Sequence, residues 1–167
     1  MFVEFEEMPE DSRIWIYQAD RDFSKSEIEE IYVKCQNFLT QWSAHGSGLK
    51  SSCKVFYNRF LVICVDEKQA QASGCSIDAS VNFVKVLGNS IKVDLFERTK
   101  IAFLNEERDS VIIESLSDIK NNITSNNIES QTLTFNNLIQ RKSELNSKWI
   151  IPVAESWMKK YFSAQKV

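Results

Sequence analysis

The apolar positions of this chain change period several times, and each change marks an element. Arg13-Ile14-Trp15-Ile16-Tyr17-Gln18 is a short β-branched and aromatic run, which predicts a first strand. Ser24-Lys25-Ser26-Glu27 follows, a capping residue ahead of an acid in the first turn of a helix. Ile28, Ile31, Cys35, Phe38, Leu39 and Trp42 then recur at helical spacing. This helix is expected to end near Ser43, with His45 in its last turn before Gly46-Ser47-Gly48. Two strands are predicted next, from Cys53 to Tyr57 and from Phe60 to Asp66, joined tightly at Asn58-Arg59. Every position from Phe60 to Val65 is apolar, so this strand is expected inside a sheet and covered on both faces.

Ile77, Val81, Val84 and Leu87 mark a second amphipathic helix, starting around Ser73 and running to about Gly88. Lys100 to Leu104 and Ser110 to Ile113 flank Asn105-Glu106-Glu107-Arg108-Asp109 as a hairpin. The order β-α-β-β-α-β predicts the α+β class, with a ferredoxin-like core extended by a hairpin strand. Beyond it, 121–131 is rich in Asn and Ser and reads as a loop closing a short helix, and Thr132 to Phe135 as a strand. Pro152 suits the first turn of a C-terminal helix whose Val153, Trp157 and Tyr161 share one face. The chain is expected to form a single domain over 1–167: an N-terminal arm at 1–12, a core at 13–115, and an extension at 116–167 that packs on the core.

Composition narrows the classes of function. Lys and Arg number 20 against 23 Asp and Glu, a formal charge of −3 with no basic stripe, so no nucleic-acid partner is expected. The one marked cluster is acidic, Glu4, Glu6, Glu7, Glu10 and Asp11, and reads as a solvated arm. The first residues lack the positive region of a signal peptide, and the longest apolar run is too short to span a bilayer. The expectation is a cytoplasmic protein without membrane contact. Cys35, Cys53, Cys64 and Cys75 form no C-x-x-C pair and His45 is the single histidine, so neither a metal site, a cofactor nor a disulfide framework is expected.

Candidate chemistry gathers at Ser73-Gly74-Cys75-Ser76-Ile77-Asp78, at the start of the second helix. Free N–H groups and the helix dipole favour an anion or a thiolate there. Ser76 would cap the helix, Gly74 would let the backbone turn, and Cys75 would be a reactive thiol. Ordinary capping accounts for the same residues, and Asp78 sets a negative charge where a bound phosphate would sit. His45 is the one side chain whose unperturbed titration lies near neutrality, and a Cys75–His45 pair satisfies the logic of a nucleophile and its base. Gly46-Ser47-Gly48-Leu49-Lys50-Ser51 echoes a phosphate loop but fails it, because Leu49 separates glycine from lysine and no strand precedes. Asp66-Glu67 point to different sides of a strand end, and Trp149, Trp157, Tyr161 and Phe162 read as core and docking contacts.

Trp15-Ile16-Tyr17-Gln18, Trp42-x-x-His45-Gly46, Tyr57-Asn58-Arg59-Phe60 and the Ser73–Asp78 segment together resemble a family of small bacterial proteins without an established function, some of which carry the label "ABC transporter ATPase". Phe135-Asn136-Asn137-Leu138 and Glu155-Ser156-Trp157 resemble the same family. Its label is not carried over, since no segment here can cradle the phosphates of ATP. The resemblance directs attention first to where those segments could meet, around Cys75, His45 and Arg59. The leading expectation is a non-enzymatic or regulatory domain binding a small ligand or protein partner near the second helix start, through His45, Arg59, Ser73, Gly74, Cys75 and Ser76. The alternatives are a thiol-dependent enzyme or redox sensor using Cys75 with His45 as base, and a homodimer formed through an open sheet edge.

Overall fold

Two sheets lie face to face between two helical layers, and the alternation of side chains along the strands shows why. The computed structural model describes residues 1–68 and 70–163, so residues 69 and 164–167 of the expected domain lie outside the described residues. Strand β1 (Arg13–Gln18) leads into α1 (Lys25–Gln41), a two-residue pair β2 (Ser43–Ala44) and β3 (Ser47–Gly48), then β4 (Lys50–Phe56), β5 (Phe60–Asp66) and α2 (Gly74–Ile91). The second half runs β6 (Lys100–Leu104), β7 (Val111–Ser115), α3 (Ile119–Thr124), β8 (Leu133–Phe135), β9 (Ile150–Pro152) and α4 (Lys159–Ser163).

The first sheet has the order β1-β5-β4, all antiparallel, with β5 at its centre. Leu61, Ile63 and Val65 point from β5 toward α1 and α2, where Ile31, Cys35, Leu39, Val84 and Leu87 complete one core. Phe60, Val62 and Cys64 point the other way, onto Ala102, Ile139 and Trp149. The apolar run is therefore buried from both sides, as its composition requires. The second sheet has the order β7-β6-β8-β9. Along β6, Ala102 faces the first sheet while Phe103 faces a third cluster with Ile119, Ile123, Val153 and Met158 from α3 and the tail. Period-two alternation thus stacks the molecule as helices, sheet, sheet, helices.

Four expectations need correction. The strand after α2 does not join β1 as a fourth strand but enters the second sheet. The outer edge of β1 is taken instead by the segment around Arg141: Ile14 N–H donates to Gln140 O at 3.0 Å and Lys142 N–H to Ser12 O at 2.9 Å. The tail is not one helix, because Pro152 is extended at φ −58° and ψ 143° and ends β9, leaving a 3₁₀ turn before α4. Trp149 is buried between the sheets, whereas Trp157 is 48% exposed. The N-terminal arm is not free: its acids face solvent, but Phe5 and Met8 are buried, and Val3 N–H donates to Ser51 O at 3.1 Å. Lastly, His45 is not in a helix. It sits with Gly46 at positive φ, 51° and 81°, in the two-residue turn between β2 and β3, the backbone of a type I′ hairpin.

Candidate functional site

The start of α2 is a well-made cap. Ser73, not Ser76, is the capping residue, with φ −79° and ψ 163°, and its hydroxyl accepts from Ser76 N–H at 3.2 Å. Ser76 is buried and turned inward, its hydroxyl donating to Ser73 O at 2.9 Å. The indole N–H of buried Trp42 donates to Ser76 O at 2.9 Å, which pins the cap to the end of α1. A Cβ on Gly74 would meet nothing within 4 Å, so glycine is not demanded there by packing. Cys75 is exposed, the one such cysteine of the four.

The β2–β3 turn that carries His45 follows Trp42 directly, so the fold brings His45 and the Cys75 helix start to the same end of the first sheet. Among the described residues no hydrogen bond joins His45 to Cys75. Arg59 is elsewhere. It lies at the Phe56–Phe60 turn, whereas the α2 start lies beyond Asp66, so six residues of strand at ~3.3 Å each separate them by ~20 Å. There Arg59 is a structural cation, almost buried, donating to Asp22 Oδ1 at 2.7 Å and to Ala19 O at 3.4 Å. Its backbone carbonyl accepts from Ala19 N–H at 2.8 Å, so the residue ties the β4–β5 turn to the β1–α1 connection. The expected convergence of Cys75, His45 and Arg59 is not present.

Two of the buried thiols, Cys35 and Cys64, are held protonated. The Cys53 thiol beside it, together with burial, pushes the Cys35 thiol well up, and burial pushes Cys64 up to about 12. Among the described residues no group of His, Cys, Asp and Glu side chains is arranged to hold a metal ion.

Two grooves open away from these residues. One of about 610 Å³ lies where the chain doubles back after α2, between Asp20, Lys85, Lys92 and Asp94. Gly88 makes that return possible, since a Cβ there would come within 2.7 Å of Val93 O. The other, about 390 Å³, lies between α1 and α2 over the stacked rings of Phe38 and Phe83, whose centroids are 4.3 Å apart. Neither adjoins Ser73, Gly74, Cys75 or Ser76.

The sheet edges differ more sharply. The edge of β4 is covered by residues 1–3, with Ser51 N–H donating to Met1 O at 3.0 Å, and by Tyr32, whose hydroxyl accepts from Val55 N–H at 3.1 Å. The edge of β1 receives Gln140. The edge of β9 is three residues long and ends on Pro152, which has no N–H to offer. Strand β7 has none of these devices. Asn105 N–H donates to Ser110 O and Leu116 N–H to Thr99 O, which sets the phase of the β6–β7 ladder. In that phase Ile112 and Glu114 pair with β6, while the N–H and C=O groups of Val111, Ile113 and Ser115 point outward. The Ser115 carbonyl accepts from Asp118 N–H at 2.9 Å, and among the described residues nothing meets the N–H and C=O of Val111 and Ile113 or the N–H of Ser115. The adjoining Ile112 and Leu116 side chains are 51% and 42% exposed. An open sheet edge was expected from the sequence, but not that it belongs to β7, because openness depends on what the distant segments 1–3 and 140–142 do elsewhere.

Among the described residues no helix is long and apolar enough to cross a membrane. No family model, no curated protein and no solved structure matches this chain.

Proposed function

We propose that this chain is a non-enzymatic binding domain whose ligand is an extended segment of another protein, added as a strand along the outer edge of β7. One observation carries the reading: among the described residues, three of the four edges of the two larger sheets are covered or cut short, and β7 offers the longest run of unpaired backbone, flanked by apolar side chains. Natural sheets protect such edges unless they use them. Main-chain pairing then supplies affinity, and the side chains beside it supply selectivity. We also read β1, α1, β4, β5 and α2 as a ferredoxin-like unit in which the segment around Arg141 stands where a fourth strand would lie. The family resemblance drawn from the sequence belongs with this reading and adds no activity to it.

The thiol reading has one observation in its favour, the exposed Cys75. Neither of the two grooves described above adjoins that thiol, and among the described residues no hydrogen bond joins it to His45.

Panning a display library of ten-residue peptides against the protein tests the strand-addition reading. Enriched peptides are expected to lose at least about tenfold in affinity on Ile113→Pro, which removes an outward N–H that β6 does not use. Ser115→Pro serves as the second variant should Ile113→Pro lower the melting temperature. Peptides that bind both proline variants as well as the parent, or no enrichment at all, would refute the reading.

A further inference from the structure

The charges around β7 say what kind of segment fits it. Residues 105–120 hold five carboxylates, Glu106, Glu107, Asp109, Glu114 and Asp118, against two cations, Arg108 and Lys120. The balance is −3, as large as the formal charge of the entire chain. The carboxylates bracket the open edge. Glu106, Glu107 and Asp109 are exposed in the loop at its start, Asp118 is exposed just past its end, and Glu114 stands on β7 itself, held by Asn122 Nδ2 at 3.0 Å. Between them lie Val111, Ile112 and Ile113.

We infer, resting on the strand-addition reading, that the segment taken up by β7 is an extended basic peptide with apolar residues at its centre and lysine or arginine at its flanks. Opposite charges across neighbouring strands attract, and a patch of one sign steers and selects a partner of the other. The same observation argues against a second copy of this chain. Antiparallel pairing of β7 with itself would bring two segments of −3 together. Five residues of strand also bury only a few hundred Å², against about 800 Å² per partner in a standard stable interface.

Three capped synthetic peptides make the test, read by fluorescence anisotropy at 50 and 200 mM salt. One alternates valine and lysine, the second replaces lysine by glutamate, and the third replaces valine by glycine. The valine–lysine peptide is expected to bind at least about tenfold tighter than either of the others, since it alone offers both the charge and the apolar strand. Its affinity is expected to fall about tenfold on Ile113→Pro and several-fold on Glu106→Gln with Glu114→Gln, more at low salt than at high. Equal or tighter binding of the valine–glutamate peptide, lost on Ile113→Pro, would overturn the basic assignment while leaving strand addition standing. Equal binding of the lysine–glycine peptide would reduce the effect to plain charge attraction and overturn it too. Binding of all peptides unchanged by Ile113→Pro would remove both. A dimer seen by sedimentation and abolished by Ile113→Pro would overturn it by making a second copy the occupant.

Discussion

Strands β5 and β7 begin as the same kind of sequence and end in opposite places. Phe60-Leu61-Val62-Ile63-Cys64-Val65 has a strand on either side, and each of its side chains is at most 1% exposed. Val111-Ile112-Ile113 has one neighbour strand and leaves Ile112 half in solvent. Apolar content alone therefore does not decide burial. What decides it is how many elements compete to cover the run: two helices, the second sheet and the N-terminal arm converge on β5, while α3 and α4 stack beneath β6 and stop short of the far edge of β7. A fully apolar strand this well covered serves stability, and one left open is available for recognition.

The largest contrast between the two should appear in thiol accessibility. A cysteine placed by Ile112→Cys is expected to react with iodoacetamide about as fast as native Cys75, whereas Cys64 in β5 waits for the fold to open. With a stability of at least about 5 kcal/mol that wait slows Cys64 by a factor above about 10³. Burial, which raises its thiol to about 12, adds to the protection. Mass-spectrometric mapping of labelled sites at pH 8 checks it, and comparable rates for the two positions would erase the distinction.

Truncation should separate the strands next. Leu61 is fully buried, so Leu61→Ala is expected to cost about 2–5 kcal/mol in urea unfolding. Ile112→Ala is expected to stay within about 0.5 kcal/mol, the usual range at the surface. A cost above 2 kcal/mol at Ile112 would mean that β7 is covered after all.

The smallest effect concerns the helix that covers β5. Ser24 and Glu27 cap α1 reciprocally, and Arg21 donates to Glu27 Oε1 at 2.7 Å. The hydrogen bond from Arg21, then that from Ser24 N–H, lowers the Glu27 carboxyl from the ordinary 4.5 to about 2. A depressed carboxyl contributes stability that is present above pH 4.5 and is lost as pH falls toward 2. Glu27→Gln is accordingly expected to cost about 1 kcal/mol at pH 7, and the difference from the parent should vanish near pH 2. Urea titrations at pH 7, 4 and 2 measure this, and a gap that persists at pH 2 would point to packing in place of charge.

Local pattern was enough for β1, α1, β5, α2 and the β6–β7 hairpin, because their periodicities are strong and their caps lie in sequence. Where it failed, distant partners decided. Acids between Phe2, Phe5 and Met8 hide an arm that packs under the first sheet. Pro152 is compatible with both a helix start and a strand end, and pairing with β8 selected the second. Glycine after His45 suggests a helix stop, yet Gly46 with its φ of 81° serves a hairpin turn. At the site, the accessibility of Cys75 was legible from its place on the helix. The separation of Arg59 was not, since the reach of a strand converts adjacent motifs into opposite ends of a sheet.

The turn that places Arg59 bears on how the molecule assembles. Tyr57 and Asn58 both sit at φ near 50°, and Arg59 N–H donates to Phe56 O at 3.0 Å, the type I′ geometry that matches strand twist. Strands β4 and β5 can thus zip from this turn in microseconds, as isolated hairpins do. Strand β1 joins later, because Gln18 meets Phe60 and Arg13 meets Val65 only after a long intervening chain has closed. The hairpin is therefore expected to form before β1 docks, so that the order of folding would run against the order of synthesis: the first strand made waits for the third long one before it has anywhere to pair.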